Sequence, residues 1–189
     1  MKVILVGYPA SQQIVPASRY LTSKYLPGFD IHWLNYVGEI KKWSAFVGNY
    51  LTRITDKFVI FALDYYLISD LINMQIYENL LMRCKGEIVC AKLHRSTMEE
   101  HYDYPVTTQY TIWNREFLIW LLKQTTSPWD FEINGSTIFR NSDKVSLWQE
   151  RPALEYGTSS CLSTRWKGVR LDGLKTEDIE YIKNNNLII

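Results

Sequence analysis

The stretch that decides the fold is Phe58-Val59-Ile60-Phe61-Ala62-Leu63, which is followed at once by Asp64. A continuous apolar run, rich in β-branched and aromatic residues, is typical of a strand buried on both faces of a parallel sheet. The sequence therefore predicts a carboxylate at the carboxyl end of a central strand. Ligands of open α/β sheets bind outside the carboxyl ends of the strands, which makes Asp64 the first candidate for a site.

Strand and helix patterns alternate on both sides of this stretch. Residues 3–6 predict a first buried strand, and residues 16–26 predict a short helix with proline in its first turn. The next unit is a strand over 29–36 and a helix over 43–51. After the central strand we expect a helix over 70–83, capped by Ser69, and a strand over 87–93. This alternation predicts an α/β fold with a mostly parallel, Rossmann-related central sheet flanked by helices.

The second half of the sequence is less regular. Residues 107–113 predict a strand, Asn114 a helix cap, and Ser127-Pro128 the start of another helix. From Ser136 to about residue 170 we expect short strands or long loops punctuated by glycine, and then a final helix capped by Thr176 that ends at residues 184–186. Because no linker, repeat or low-complexity tract divides the sequence, we expect one domain over 1–189.

Composition excludes several classes of protein. The chain carries 21 Lys and Arg against 20 Asp and Glu, so it has no overall electrostatic footprint for nucleic acid or an anionic membrane. Its three cysteines form no CxxC pair, which argues against a zinc knuckle or a disulfide framework and favours a reducing, cytoplasmic compartment. The N-terminal apolar run is too short for a signal peptide or a membrane span.

Several catalytic motifs are also missing from the sequence. It contains no GxGxxG, GxxxxGK[ST], HExxH or GxSxG pattern, which argues against dinucleotide oxidoreductases, P-loop kinases, zincins and α/β-hydrolases. The histidines His32, His94 and His101 are predicted on a strand, at a strand end and in a loop, and a lone histidine of this kind is more often a structural or surface residue than a catalyst.

Two segments with carboxylates are candidates for chemistry. An ionised Asp64 at the end of an apolar strand needs a cation, hydrogen-bond donors or water, so it either contacts a metal or substrate hydroxyl or else caps a helix or turn. In Trp129-Asp130-Phe131-Glu132, one carboxylate either faces a cleft beside the indole, as a general base for an alcohol, or belongs to a helix cap. The residue pattern leaves both choices open.

Four short motifs resemble small GT-A-like glycosyltransferases of bacterial surface-polysaccharide loci and phages. The motifs are Gly7-Tyr8-Pro9-Ala10-Ser11, Leu63-Asp64-Tyr65-Tyr66-Leu67, Trp113-Asn114-Arg115-Glu116-Phe117-Leu118 and Pro128-Trp129-Asp130-Phe131-Glu132. The similarity covers most of residues 1–135. It implies a GT-A-like single domain with a nucleotide-binding half over 1–95 and an acceptor half, with the C-terminal helix, over 96–189. The implied activity is transfer of a sugar from a nucleotide-diphosphate donor to a hydroxyl of a glycan or modified DNA base.

The resemblance also implies roles for single residues. Donor contacts fall on Tyr8, Pro9, Ala10, Ser11, Arg19 and Asp64, with Lys24 as the alternative to Arg19 near the phosphates. Acceptor contacts fall on Trp113, Asn114 and Trp129. Glu132, with Asp130 as the alternative, would deprotonate the acceptor hydroxyl. Asp64 would hold Mn²⁺ or Mg²⁺; family members commonly have two acidic residues there, and a single one still permits a cation held mainly by diphosphate oxygens and water.

Two functions of other classes stay open. A non-catalytic α/β module could bind a nucleotide sugar in the same cleft without turnover, because the second metal carboxylate is missing. A nucleic-acid-binding protein could use Tyr and Trp beside Lys and Arg, although the balanced charge argues against it.

Overall fold

The computed structural model describes residues 1–7, 9–96, 98–156, 171 and 173–188. Its strands are β1 (Lys2–Gly7), β2 (Asp30–Asn35), β3 (Phe58–Leu63), β4 (Ile88–Lys92), β5 (Thr111–Asn114) and β6 (Val145–Leu147). Its α-helices are α1 (Val15–Tyr25), α2 (Trp43–Leu51), α3 (Met74–Arg83), α4 (Met98–Asp103), α5 (Arg115–Leu122), α6 (Pro128–Arg140) and α7 (Thr176–Asn184). A 3-10 helix, Pro9–Ile14, leads into α1.

The six strands form one sheet in the order β2-β1-β3-β5-β4-β6. Only β5, among the described strands, runs antiparallel to its neighbours β3 and β4; the other pairs are parallel. The carboxyl ends of the other five strands therefore lie at one edge, which we call the carboxyl edge, together with the amino end of β5. The sheet and its flanking helices confirm the predicted α/β fold.

The centre of the molecule is the pair β1 and β3, whose residues are almost entirely buried. Four large rings join this pair to the helices: Trp43 of α2, Phe61 of β3, Trp113 of β5 and Phe131 of α6 pack at centroid distances of 5.9–6.4 Å. Rings of this size supply much of the apolar burial of a small domain. They hold α2 and α6 on the sheet and so fix the elements that approach the carboxyl edge.

The helix predicted over 70–83 begins later, at Met74, with Asn73 as its cap. The side chain of Asn73 accepts a hydrogen bond from Ile76 N at 3.1 Å. The preceding residues pair with a distant segment instead: Ser69 N donates to Glu155 O at 3.0 Å, and Asn73 N donates to Ala153 O at 2.7 Å. This tertiary pairing satisfies the backbone in an extended form, so Ser69 caps no helix.

The second half departs from the prediction at two further places. Helix α6 continues through Gly135 to Arg140, although we expected loops or strands from Ser136; the Ser136 hydroxyl accepts from Val106 N and donates to Val106 O, each at 3.2 Å, and so fixes this part of the helix. The predicted strand over 107–113 is confined to Thr111–Asn114. Our expectations for 157–170 lie outside the described residues.

Other local predictions are confirmed. Helix α2 and strand β3 have the predicted bounds, and Ser127 caps α6 by accepting from Asp130 N at 3.1 Å. Asn186 has a φ of 50°, which is the left-handed conformation expected after the last helix. Thr176, however, is the first residue of α7 rather than its cap, because the capping position is Lys175.

Candidate active site

Asp64 stands where the sequence predicts it, at the carboxyl end of β3. Its backbone N–H donates to Val6 O at 3.2 Å, which continues the pairing with β1 one residue beyond the strand. The carboxylate lies against Gly7, where a Cβ would collide with Oδ2. Only glycine at the end of β1 therefore leaves room for this side chain.

The carboxylate of Asp64 is 2% exposed. Burial raises its pKa to about 6, against the opposing effects of a hydrogen bond from Ser11 and the positive charge of Arg19. Its Oδ1 has no hydrogen-bond partner among the described residues. A buried, under-coordinated carboxylate that ionises near neutral pH is suited to a cation or a ligand hydroxyl.

Asp64 lines a cavity of about 240 Å³, the first cavity, between the start of α1 and the end of β2. The guanidinium of Arg19 lies 5.4 Å from the ring centroid of Trp33 on its wall. Across the cavity mouth, the amide of Gln12 donates to Asn35 Oδ1 at 2.6 Å. The complete lining is Gln12, Val15, Pro16, Arg19, Trp33, Leu34, Asn35 and Asp64. The cavity thus combines one cation, one carboxylate and an aromatic face beside the start of α1.

A second cavity, of about 370 Å³, lies at the same edge between the end of β4 and helix α6. Its lining is Lys92, His94, Ser96, Tyr104, Thr107, Gln109, Glu132 and Tyr156. Lys92 is 2% exposed and its Nζ lies 3.5 Å from Ser96 Oγ. His94 Nδ1 lies 3.4 Å from the carbonyl oxygen of Tyr110. Hydroxyl, amide and charged groups beside tyrosine rings form a polar cleft with aromatic walls.

Glu132 has a defined place in the second cavity. Its Oε1 accepts from Thr108 N at 2.7 Å, from Thr108 Oγ1 at 2.7 Å and from Thr107 Oγ1 at 3.3 Å. These bonds hold the loop before β5 at the carboxyl edge and fix the orientation of the glutamate.

Asp130 has a different role, in the cap of α6. Its Oδ2 accepts from the backbone N–H of Thr126 at 2.6 Å and from the hydroxyl of the same residue at 3.0 Å, and its Oδ1 accepts from Asn134. The two acidic residues of this segment are therefore separated, with Glu132 on the second cavity and Asp130 in the cap of α6.

The two cavities are joined by the segment that follows β3. Asp64 lines the first cavity, and two residues later Tyr66 packs on Tyr156 of the second cavity at a centroid distance of 5.5 Å. The ring of His94 also packs on Tyr156, at a centroid distance of 5.8 Å. The segment 64–66 therefore contributes a residue to the first cavity and packs on a wall residue of the second.

The predicted donor residues are partly brought together. Arg19 and Asp64 both line the first cavity, and the side chain of Ser11 forms a hydrogen bond with the carboxylate of Asp64. Tyr8 lies outside the described residues, and Pro9 and Ala10 are described only as backbone at the start of the 3-10 helix. Lys24 is directed elsewhere, to the buried carboxylate of Asp178 at 2.6 Å on α7.

The predicted acceptor contacts Trp113 and Asn114 are corrected by the structure. Strand β5 runs antiparallel, so its carboxyl end pairs with Phe58 at the opposite edge of the sheet. Trp113 is fully buried in the aromatic core, and Asn114 caps α5 by accepting from Phe117 N at 3.1 Å. Trp129, the third predicted contact, is 54% exposed on α6 and is not among the described residues that line the two cavities.

Sequence reasoning missed several lining residues. Asn35 ends β2, and His94 lies two residues past β4, so both follow the same rule that singled out Asp64. Trp33 lies on β2 two residues before Asn35, whereas Gln12 on the 3-10 helix and Tyr156 outside the named strands carry no local signal.

The described residues hold no group of three or more His, Cys, Asp or Glu side chains that would bind a metal ion. Asp64, with its unpartnered Oδ1, fits a hard cation only as one ligand among oxygens of a bound diphosphate and water. None of the described helices has the length and apolar composition of a membrane-spanning segment.

Comparison of the sequence with protein-family models and with curated proteins gives no match. Among solved structures, the chain is similar to a cytidylyltransferase from Leptospira borgpetersenii serovar Hardjo-bovis, with a TM-score of 0.51 and 11% identity over 99% of this chain and 95% of that one. It is similar to A197 from STIV, with a TM-score of 0.50 and 11% identity over 93% of this chain and 97% of that one. A glycosyltransferase involved in glycosylation of the major capsid of PBCV-1 gives a TM-score of 0.47 and 11% identity over 79% and 81%. The chain therefore shares its α/β fold with the first two proteins over nearly its whole length.

Proposed function

We propose that this chain is a nucleotide-dependent transferase, and specifically a glycosyltransferase that moves a sugar from a nucleoside-diphosphate donor to an acceptor hydroxyl. The observation that carries the proposal is the buried carboxylate of Asp64, with an unpartnered oxygen, at the head of a cavity that also presents Arg19 and Trp33. This combination supplies an aromatic ring for the base, a cation for the phosphates and a carboxylate for a metal ion.

The first cavity is the donor site in this proposal. The ring of Trp33 offers a stacking face for the base, and the guanidinium of Arg19 offers charged donors to the diphosphate. Asp64 would hold Mn²⁺ or Mg²⁺, which when bound neutralises charge on the diphosphate leaving group.

The second cavity is the acceptor site. Glu132 Oε1 is occupied by its three donors, whereas Oε2 is engaged by no described residue, so Oε2 would take the proton of the acceptor hydroxyl. Thr107, Gln109 and Tyr104 offer further hydrogen bonds to a polyhydroxylated ligand. The donor and the acceptor would then lie on the two sides of the segment 64–66.

Nucleotidyl transfer is the other chemistry that this fold supports, given the likeness to a cytidylyltransferase. A nucleoside triphosphate brings more negative charge than a nucleotide sugar does. Among the described residues that line the first cavity, Arg19 is the only cation. One cation and one carboxylate fit a diphosphate donor better, so we place glycosyl transfer first.

A thermal-shift screen of nucleotide sugars and nucleoside triphosphates, with and without Mn²⁺, tests the proposal. A ligand that binds only the folded chain raises the melting temperature by mass action. We expect one class of nucleotide sugar to do so, with release of the nucleoside diphosphate in the presence of an acceptor. Arg19→Gln should remove the shift, while Arg53→Gln, a matched exposed cation between α2 and β3, should keep it.

Three results would contradict the proposal in distinct ways. Binding of a nucleotide sugar with no turnover on any acceptor would identify a non-catalytic binding module. Release of pyrophosphate from a nucleoside triphosphate and a sugar phosphate would identify a nucleotidyltransferase. A shift that survives in Arg19→Gln would move the nucleotide away from the first cavity.

A further inference from the structure

We propose that the acceptor is an elongated, neutral oligosaccharide that continues from the second cavity into a groove between α4 and α6. We call this the tyrosine groove; it is lined by Tyr102, Asp103, Tyr104, Ile133, Thr137 and Arg140. The inference rests on the proposed function in one respect, that the second cavity takes the acceptor.

The spaces adjoin one another through shared wall residues. Tyr104 lines both the second cavity and the tyrosine groove, whose volume is about 400 Å³. Beyond it, Tyr102 and Arg140 also line a further space of about 240 Å³ that reaches Val145 on β6. The second cavity and the groove each have the size of a small-ligand site. A single sugar would fill one of these spaces, whereas a chain of sugars would use them in succession.

The surface of the groove suits sugar rings. Tyr102 is 73% exposed and Tyr104 is 50% exposed, so both rings present a flat apolar face together with a hydroxyl group. Ile133 lies beside them, and Trp129 lies one helical turn earlier on α6; both are more than half exposed. Exposed apolar side chains gathered in one place and bordered by polar groups mark interaction sites. The C–H faces of sugar rings pack on such a surface while their hydroxyl groups stay hydrogen-bonded.

The groove is also held in shape. Arg140 of α6 donates to the carbonyl oxygens of Tyr102 at 3.3 Å and Asp103 at 2.7 Å, and to the hydroxyl of Thr137 at 3.2 Å. These bonds tie the end of α4 to α6 and set the distance between the two walls. A binding surface fixed before the ligand arrives loses less entropy on binding.

The charges of the groove favour a neutral ligand over a nucleic acid. The guanidinium of Arg140 is occupied by backbone and hydroxyl oxygens, and Lys144 next to the groove is paired with Asp143 at 2.9 Å. The lining also carries the carboxylate of Asp103. Single-stranded nucleic acids need a positively charged track beside the stacking rings. The aromatic faces are present here and the free cations are not, among the described residues of the groove.

The test is binding of the full chain to neutral malto-, cello- and chito-oligosaccharides, from the monosaccharide to the hexasaccharide, with decathymidylate as the nucleic-acid probe. We expect affinity for at least one series to rise with length. Tyr102→Ala should weaken binding of the longer members by about tenfold and leave the monosaccharide unchanged, because Tyr102 lines only the outer spaces. Trp120→Ala, an exposed aromatic residue on α5, is the matched control and should bind like the wild type.

The inference is overturned if no oligosaccharide binds, if affinity does not depend on length, or if Tyr102→Ala binds long and short members like the wild type. Binding of decathymidylate that weakens steeply with salt would make the groove a nucleic-acid surface and would equally overturn it. If the oligosaccharide test fails but a nucleotide sugar still raises the melting temperature, the proposed function is retained. Length-dependent binding without any nucleotide shift confirms the groove and refutes the proposed function.

Discussion

Replacing Asp64 by asparagine should stabilise the fold at neutral pH. Burial raises the pKa of Asp64 to about 6 from its ordinary value of 3.8, so the folded chain holds the proton more tightly than the unfolded chain does. The stabilising contribution of the protonated carboxyl is complete below the unfolded pKa and is lost as the pH rises through about 6. Above that range the ionised group lowers the free energy of unfolding.

The size of the effect follows from the two pKa values. A difference of about two pH units corresponds to about 3 kcal/mol of unfolding free energy. Asparagine keeps the shape and removes the charge, so Asp64→Asn should recover up to that amount, or roughly 6–12 °C in melting temperature for a domain of this size. A site that loses stability to keep a buried charge is expected of a binding or catalytic centre.

The assay is urea denaturation of both proteins across the pH range, with nucleotide binding measured in parallel. We predict a stability difference near zero at about pH 4, a rise through pH 6 and a plateau above about pH 7. Donor binding should be lost in the variant throughout. A variant that is no more stable than the wild type at neutral pH would refute the reasoning, because the ionised carboxylate would then carry no desolvation cost.

Asp130→Asn is the matched control for this experiment. Asp130 caps the first turn of α6, where its Oδ2 accepts from Thr126 N at 2.6 Å. Its replacement should cost about 1 kcal/mol at neutral pH and spare the activity. The two aspartates should therefore give stability changes of opposite sign, and changes of the same sign would contradict the distinction between them.

Three further predictions concern single side chains. Glu132→Gln keeps an acceptor for Thr108 and should lower the rate by about two to four orders of magnitude with an unchanged donor melting shift; a fully active variant would end its role as the base. Trp33→Ala should weaken nucleotide binding by about tenfold in titration calorimetry, and unchanged affinity would place the base elsewhere. Asn73→Ala should lower the free energy of unfolding by about 1 kcal/mol in urea, whereas Ser69→Ala should leave helix α3 intact; the reverse order would restore Ser69 as the cap.

The features that local sequence patterns determine were predictable. The apolar run of β3 and its terminal Asp64 are found where expected, and the caps at Asn114 and Ser127 form the expected hydrogen bonds. In each case the cause lies within a few residues, in a continuous apolar pattern or in an oxygen placed to accept from a nearby N–H. The fold class and the position of the central carboxylate follow from such signals.

The features that depend on distant residues were not predictable. Ser69 does not have the predicted capping role because the chain before α3 pairs with residues 153–156. Trp113 and Asn114 lie away from the site because β5 runs antiparallel. The motif that suggested these two residues does not encode the direction of the strand. The loop before β5 is fixed by Glu132, a residue more than twenty positions later, which accepts a hydrogen bond from Thr108 N. The walls of both cavities are assembled by contacts of this kind.

A crystal structure of the chain with Mn²⁺ and the nucleotide sugar that gives the largest melting shift tests the central claim most directly. We expect the diphosphate within hydrogen-bond reach of Arg19, the base on the face of Trp33, and Asp64 in contact with the cation or the diphosphate. A nucleotide bound at the opposite edge of the sheet, or anywhere outside the first cavity, would contradict it.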